Sequence, residues 1–218
     1  MDKVISFLKR LRENNHREWF HQHRNEYEEA RAQYFTAVNE IISGISLFDP
    51  LIHTADAASA TFRINRDTRF SHDKTPYKTN FGAFVTPGGR KSMLAGYYFH
   101  VEPDDAFISG GIYMPSSESL RKIRTEIFHH TDEFIEIIQN KSFIKNFGGL
   151  CGEKLKSSPQ GFPRHFQHVE LLKFKHYYVM HSISEKILFN DRLPHTAIAL
   201  FKEMYPFVSF INRCLIED

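Results

Sequence analysis

Two turns constrain this chain more than any other feature. Pro87-Gly88-Gly89 and Pro103-Asp104-Asp105 carry residues that favour tight reversals, and each separates two runs of strand formers by a hairpin-length gap. Residues 79–86, 94–102 and 106–113 are therefore predicted to form an antiparallel meander, with 60–65 as a strand before it and 174–182 as a candidate fifth strand. Within 94–102, Tyr97, Phe99 and Val101 fall on one face, and Tyr98, His100 and Glu102 on the other. The first face is expected to meet a helix and the second to be wet. Gly110-Gly111 interrupts 106–113, marking a bulge or a close approach of another group to the backbone.

Helical spacing brackets these strands. Val4, Leu8 and Leu11 predict a first helix ending near Asn14-Asn15. Asn15 with Glu18 reads as a capping pair for a long helix over 15–44, where Phe20, Tyr27, Tyr34, Val38 and Ile41 form a stripe, Trp19 is a core anchor and Gly44 marks the stop. Later, Ser116 or Ser117 caps a helix holding Leu120, Ile123 and Ile127, and Phe134, Ile137 and Ile138 lie on another. Ala197, Leu200, Phe201, Met204 and Phe207 predict a closing helix that Pro206 should kink or end early. Helices, then strands, then helices is an α+β order: an antiparallel sheet of four or five strands with helices from both chain ends packed mainly on one face. No Pro/Ser/Gly-rich linker divides the 218 residues, so one domain over 1–218 is expected. The 21 Phe and 9 Tyr imply a core built from rings.

The stretch 63–80 holds five cations (Arg63, Arg66, Arg69, Lys74 and Lys78) against Asp67 and Asp73, a local charge of +3 in a chain whose total is +2. Local donors, not long-range steering, would then select a partner. Tyr77, Thr79 and Asn80 add neutral donors suited to phosphate or carboxylate oxygens. Three readings stay open: an ion-pair network that pins a loop, a site for an anionic small molecule through Arg63, Arg66, Arg69, Lys74, Tyr77, Lys78 and His100, and an enzyme site. The stretch must loop back on itself, and Arg66, Arg69, Lys74, Tyr77 and Lys78 are expected to converge on one concave surface. His100 beside Glu102 supplies an oriented imidazole able to move a proton in the enzyme reading. Arg124, flanking core positions of its helix, needs a partner and is expected to reach the carbonyls or carboxylates of 63–80.

Other chemistry is excluded by absence of pattern. The sequence has no Gly-x-Ser-x-Gly elbow and no His-Glu-x-x-His, and Gly88-Gly89-Arg90-Lys91-Ser92 lacks the glycines of a phosphate-binding P-loop. The pairs His21 and His23, His129 and His130, and His165 and His168 lack matched Cys or carboxylate ligands, so no metal site is expected and the cofactor is left open. A pI near 8.5 leaves a nucleic-acid backbone open as a partner without pointing to it. Residues 1–12 form a charged amphipathic run rather than a signal core, no run approaches the roughly 18 apolar residues of a membrane span, and Cys151 and Cys214 form no CxxC pair. A cytoplasmic protein is expected.

The residues also carry a resemblance. Asn14-Asn15 with Glu18-Trp19-Phe20, then 66–71 (RDTRFS) with 73–80 (DKTPYKTN), is similar to the domain of unknown function 2461 family. The similarity continues through Tyr97-Tyr98, His100, Gly111-Ile112-Tyr113, Pro115, Leu120, Ile123-Arg124, Pro159, Gly161-Phe162 and Leu171-Leu172-Lys173. It spans almost the whole chain. The family has no established activity, so the resemblance implies no chemistry. This chain departs from the pattern after Gly161, where Pro163-Arg164-His165-Phe166-Gln167-His168 stands in place of the family's Asp, His and Pro.

Overall fold

A computed structural model describes residues 1–53 and 55–216. Helices α1 (Asp2–Glu13), α2 (Arg17–Gln22), α3 (Arg24–Ile45) and the short α4 (Ala57–Ala60) precede strands β1 (Phe81–Val85), β2 (Gly96–Val101) and β3 (Phe107–Ile112). Helices α5 (Ser117–His129), α6 (Thr131–Ile138), α7 (Lys141–Phe147) and α8 (Val169–Leu172) follow, then β4 (Tyr177–Ser182), α9 (Glu185–Leu188) and α10 (Leu193–Arg213). The strands form one antiparallel sheet in the order β1-β2-β3-β4. The meander and the returning late strand are as expected. The predicted strand 60–65 is not one: it makes only the isolated bridges Thr61 to Ala83 and Asn65 to Tyr77. Upstream, Asp56 and Ser59 form a reciprocal capping box that commits Ala57–Ala60 to a helical turn.

Both turns reverse the chain through left-handed residues, Gly88 and Gly89 (φ +77 and +83) in the first and Asp104 (φ +69) in the second. In β2 the alternation holds. Tyr97, Phe99 and Val101 are buried, with the Tyr34 ring of α3 parallel to Phe99 at 5.6 Å and its hydroxyl donating to the Phe99 carbonyl at 2.8 Å. The Asn212 side chain of α10 holds the residue before β2 as a backbone would, accepting from Ala95 N at 2.7 Å and donating to Ala95 O at 3.1 Å. Helices α3 and α10 thus cover one face of the sheet.

Several local expectations are corrected. The helix predicted over 15–44 is two helices broken at His23, and the cap of α2 is His16, whose Nδ1 accepts from Trp19 N. Gly44 does not stop α3. It lies inside the last turn, where an added Cβ would overlap the Ile198 side chain of α10, so it is the point at which two long helices cross closely. Gly110-Gly111 is no bulge, because the register from Gly96 opposite Gly111 to His100 opposite Phe107 is unbroken. A Cβ on Gly110 would stand 2.6 Å from Met204 Sδ, and Gly111 takes φ +126. Helix α10 runs through Pro206 for 21 residues. Its buried stripe, from Leu200 through Phe210 and Ile211, outweighs the roughly 3 kcal/mol that an interior proline costs. Arg124 finds a carbonyl, but that of Phe174 (Nη2 to O 3.0 Å), beside β4 at the far edge of the sheet from β1.

Candidate functional site

The stretch 63–80 folds back on itself as a narrow arm. Lys78 N donates to Ile64 O at 2.8 Å and Arg66 N to Pro76 O at 2.9 Å, around the Asn65–Tyr77 bridge. Asn15 locks its base by pairing its side chain with Tyr77 as a strand would: Nδ2 to Tyr77 O is 3.0 Å, and Tyr77 N to Oδ1 is 3.1 Å. Tyr77 is buried, its ring stacked on Phe20 at 4.1 Å.

Three of the arm's cations take partners within it, and Tyr77, expected on a surface open to solvent, is instead buried. Arg66 is tied to Asp73 and Thr75. Arg69 forms two hydrogen bonds to Asp67, at 3.0 and 2.7 Å, and Lys74 donates to Thr68 O at 2.9 Å. The Arg66 guanidinium and the Thr75 amide hold the Asp73 carboxyl down at about 2. The side chains of Asp67 and Asp73 cap Arg69 N and Thr75 N, so short-range pairs shape the tip. Phe70 is thrust outward, 94% exposed. Arg63 is exposed at the base. The Lys78 ammonium instead lies against the Phe62 ring.

Lys78 lines a groove of about 640 Å³ on the sheet face opposite α3 and α10. Its floor is the outward set of the four strands, among them Phe84, Tyr98, Phe107, Ser109, Tyr178 and Met180. Phe62, Met93, Tyr113 and Met114 stand exposed around its rim. The face expected to be wet is therefore largely aromatic. Lys78 Nζ lies 5.3 Å from the Phe62 ring centre, and the Arg90 guanidinium lies 5.8 Å from the same ring. Burial, then the nearby Arg63 and Arg90 charges, lower the Lys78 pKa, and among the described residues no carboxylate pairs with it.

Tyr98, His100 and Glu102 occupy alternate positions along β2 and just beyond it, on the face that carries the groove. Tyr98 Oη is 2.9 Å from His100 Nδ1, and His100 Nε2 is 3.3 Å from Glu102 Oε2. His100 is only 9% exposed, and its ring stacks on Phe107 at 4.5 Å. Burial lowers its pKa against the opposing pull of Glu102 and Asp105. Burial, then Glu102, push the Tyr98 phenol up to about 12. Among the described residues no group of three or more His, Cys, Asp or Glu is placed to hold a metal ion, and no helix is long and apolar enough to cross a membrane.

Fold and groove together define an α+β protein with an open antiparallel sheet, helices on one face and an aromatic cleft on the other. The chain belongs to the family described as conserved hypothetical protein (DUF2461), whose model matches residues 3–210. No curated protein and no solved structure matches it.

Sequence reasoning placed Tyr98, His100 and Glu102 on the outer face but missed the groove. The available signal was that Phe84, Phe107, Tyr178 and Met180 sit at the outward phase of the other strands, which a solvated face would not require.

Proposed function

We propose that the protein binds a small anionic molecule, bearing a carboxylate or phosphate on an aromatic or otherwise apolar body, in the groove on the open face of the sheet. The observation that carries this proposal is Lys78, a partly desolvated ammonium without a carboxylate partner among the described residues, lining an aromatic cleft. Arg63 and Arg90 add positive charge around it. An anion there would gain a charge-assisted hydrogen bond and relieve repulsion among three cations. The aromatic floor would hold the body, and about 640 Å³ suits a small molecule rather than a polymer. Arg66 and Arg69, ion-paired, and Lys74, bonded to a backbone carbonyl, then serve the arm as a scaffold, and Tyr77 anchors it. A phosphate backbone is the poorer partner, since it needs a row of unpaired exposed cations. The two free cysteines suit a reducing compartment, in keeping with a cytoplasmic protein.

Calorimetric titration with phenylacetate and phenylacetamide, on the wild type and Lys78→Met, tests this. The acid is expected to bind at least tenfold more tightly than the amide, and Lys78→Met to erase the difference. Equal binding of acid and amide, or an unaltered preference in the variant, would contradict the proposal.

A further inference from the structure

A chain of hydrogen bonds starts at the floor of the groove. Of the three residues linked along β2, Tyr98 lines the groove; His100 and Glu102 follow it on the same face of the strand. One placement of hydrogens serves every contact: His100 Nε2–H donates to Glu102, and Nδ1 accepts from Tyr98 Oη and, at 3.4 Å, from Asn80 Nδ2. Glu102 is itself held, with Oε1 accepting from Thr79 Oγ1 at 2.6 Å and lying 3.7 Å from Arg12 Nη2 of α1. Gly82 on the neighbouring strand leaves room for the phenol, since an added Cβ would lie 2.5 Å from Tyr98 Oη. A hydroxyl on a groove-lining residue, linked to an imidazole and then to an oriented carboxylate, has the order of parts found in a general base relay.

We propose that Tyr98 is a proton-transferring residue for the ligand of this groove, with His100 and Glu102 as the relay behind it and Lys78 stabilising negative charge as it develops. The proposal rests on the groove being the ligand site, and the ligand class it adds is a carbon acid: an aromatic 2-oxo acid with a C–H beside its carbonyl. In the forward step that C–H breaks and its proton bonds to Tyr98 Oη, while the C–H electron pair moves onto the carbonyl oxygen as an enolate. The phenol's own proton crosses the 2.9 Å to His100 Nδ1. The imidazolium so formed is held by Glu102, and the cation cluster at Lys78 faces the enolate. Return of a proton to carbon or oxygen completes a keto–enol exchange, with no oxidant or co-reactant consumed.

The electrostatics agree with the geometry. With its pKa pushed up to about 12, Tyr98 stays a neutral phenol and works by passing its proton on, not as a standing phenolate. His100 faces Tyr98 and Glu102 on its own strand segment, Asp105 in the following turn, Asn80 before β1 and Phe107 on β3; Arg12, bonded to Asp104 and to Pro103 O, lies 3.7 Å from Glu102. Burial outweighs the two carboxylates and leaves the imidazole neutral and able to accept. The rate should therefore rise with pH through a His100 midpoint lying below the ordinary histidine value of about 6.5.

The test is deuterium uptake at the methylene carbon of phenylpyruvate in D₂O, followed by proton NMR with the full chain, together with phenylpyruvate affinity. The protein is expected to exceed buffer-catalysed exchange at least tenfold. Tyr98→Phe should lower the protein-catalysed rate about a hundredfold, as loss of a general base does, with affinity kept within threefold. Glu102→Gln should move the acid-side midpoint of the rate and the ¹⁵N-detected titration of His100 together, which a merely structural role would not do; His100→Asn, checked for folding by its NMR spectrum, should abolish the step. If phenylpyruvate binds with dependence on Lys78 but exchange matches buffer or survives Tyr98→Phe, the relay is refuted and the groove stands. If phenylpyruvate does not bind at all, the groove proposal falls and the relay with it.

Discussion

Tyr97 and Tyr98 are neighbours with opposite assignments. The Tyr97 hydroxyl points into the core and donates to Asp49 Oδ2 at 2.8 Å, a carboxylate only 2% exposed. Tyr98 points to the groove and meets His100. Removing the inner hydroxyl strands a buried carboxylate oxygen, so Tyr97→Phe is expected to cost about 1–3 kcal/mol in urea unfolding. Tyr98→Phe should cost less, since the imidazole Nδ1 that it leaves still has Asn80 Nδ2 at 3.4 Å. Equal losses would contradict the division of labour across β2. The split itself was legible, because a strand alternates and Tyr97 to Glu102 contains one apolar and one polar set. The internal pairing of Arg66, Arg69 and Lys74 was not: whether cations two to nine residues from Asp67, Asp73 and Thr75 turn inward or toward a ligand depends on turn geometry that composition does not carry.

Among the elements, the crossing of α3 and α10 gives the sharpest case of a glycine misread from sequence. At the end of a helical stripe, glycine is a natural stop signal, yet here it admits Ile198 of a helix some 150 residues on. Gly44→Ala should lower stability by about 1–3 kcal/mol through overpacking, although alanine is the better helix former. Adding Ile198→Ala should recover part of that loss in the double variant, and thermal melts of the three proteins check it. A stabilised Gly44→Ala would mean that the crossing is looser than described. Asn15 shows a similar substitution of roles: its side chain closes the base of the arm across 62 residues instead of capping the next helix. Long-range partners of this kind leave no local trace. The elements themselves were largely readable, because buried stripes at helical or alternate spacing repeat several times within α1, α3, β2 and α10.

At the scale of the whole molecule, the sheet divides the protein into a closed side and an open one. Helices α3 and α10 seal the first, with Tyr34, Asn212 and Met204 reaching the strands. The second gathers residues from Phe62 to Met180 into a cleft whose lining is dispersed along the chain, which is why only its β2 portion was visible beforehand. A net charge of +2 offers little long-range attraction, so selectivity rests on the donors at the mouth of that cleft. The most direct measurement is a crystal soaked in 4-bromophenylacetate, with the bromine located by anomalous scattering. The bromine is expected over the floor formed by Tyr98, Phe107 and Tyr178, with the carboxylate within hydrogen-bond distance of Lys78 Nζ. A carboxylate bound instead at Arg66 or Arg69 on the arm, or a groove without bromine at a concentration that saturates binding in solution, would contradict the account.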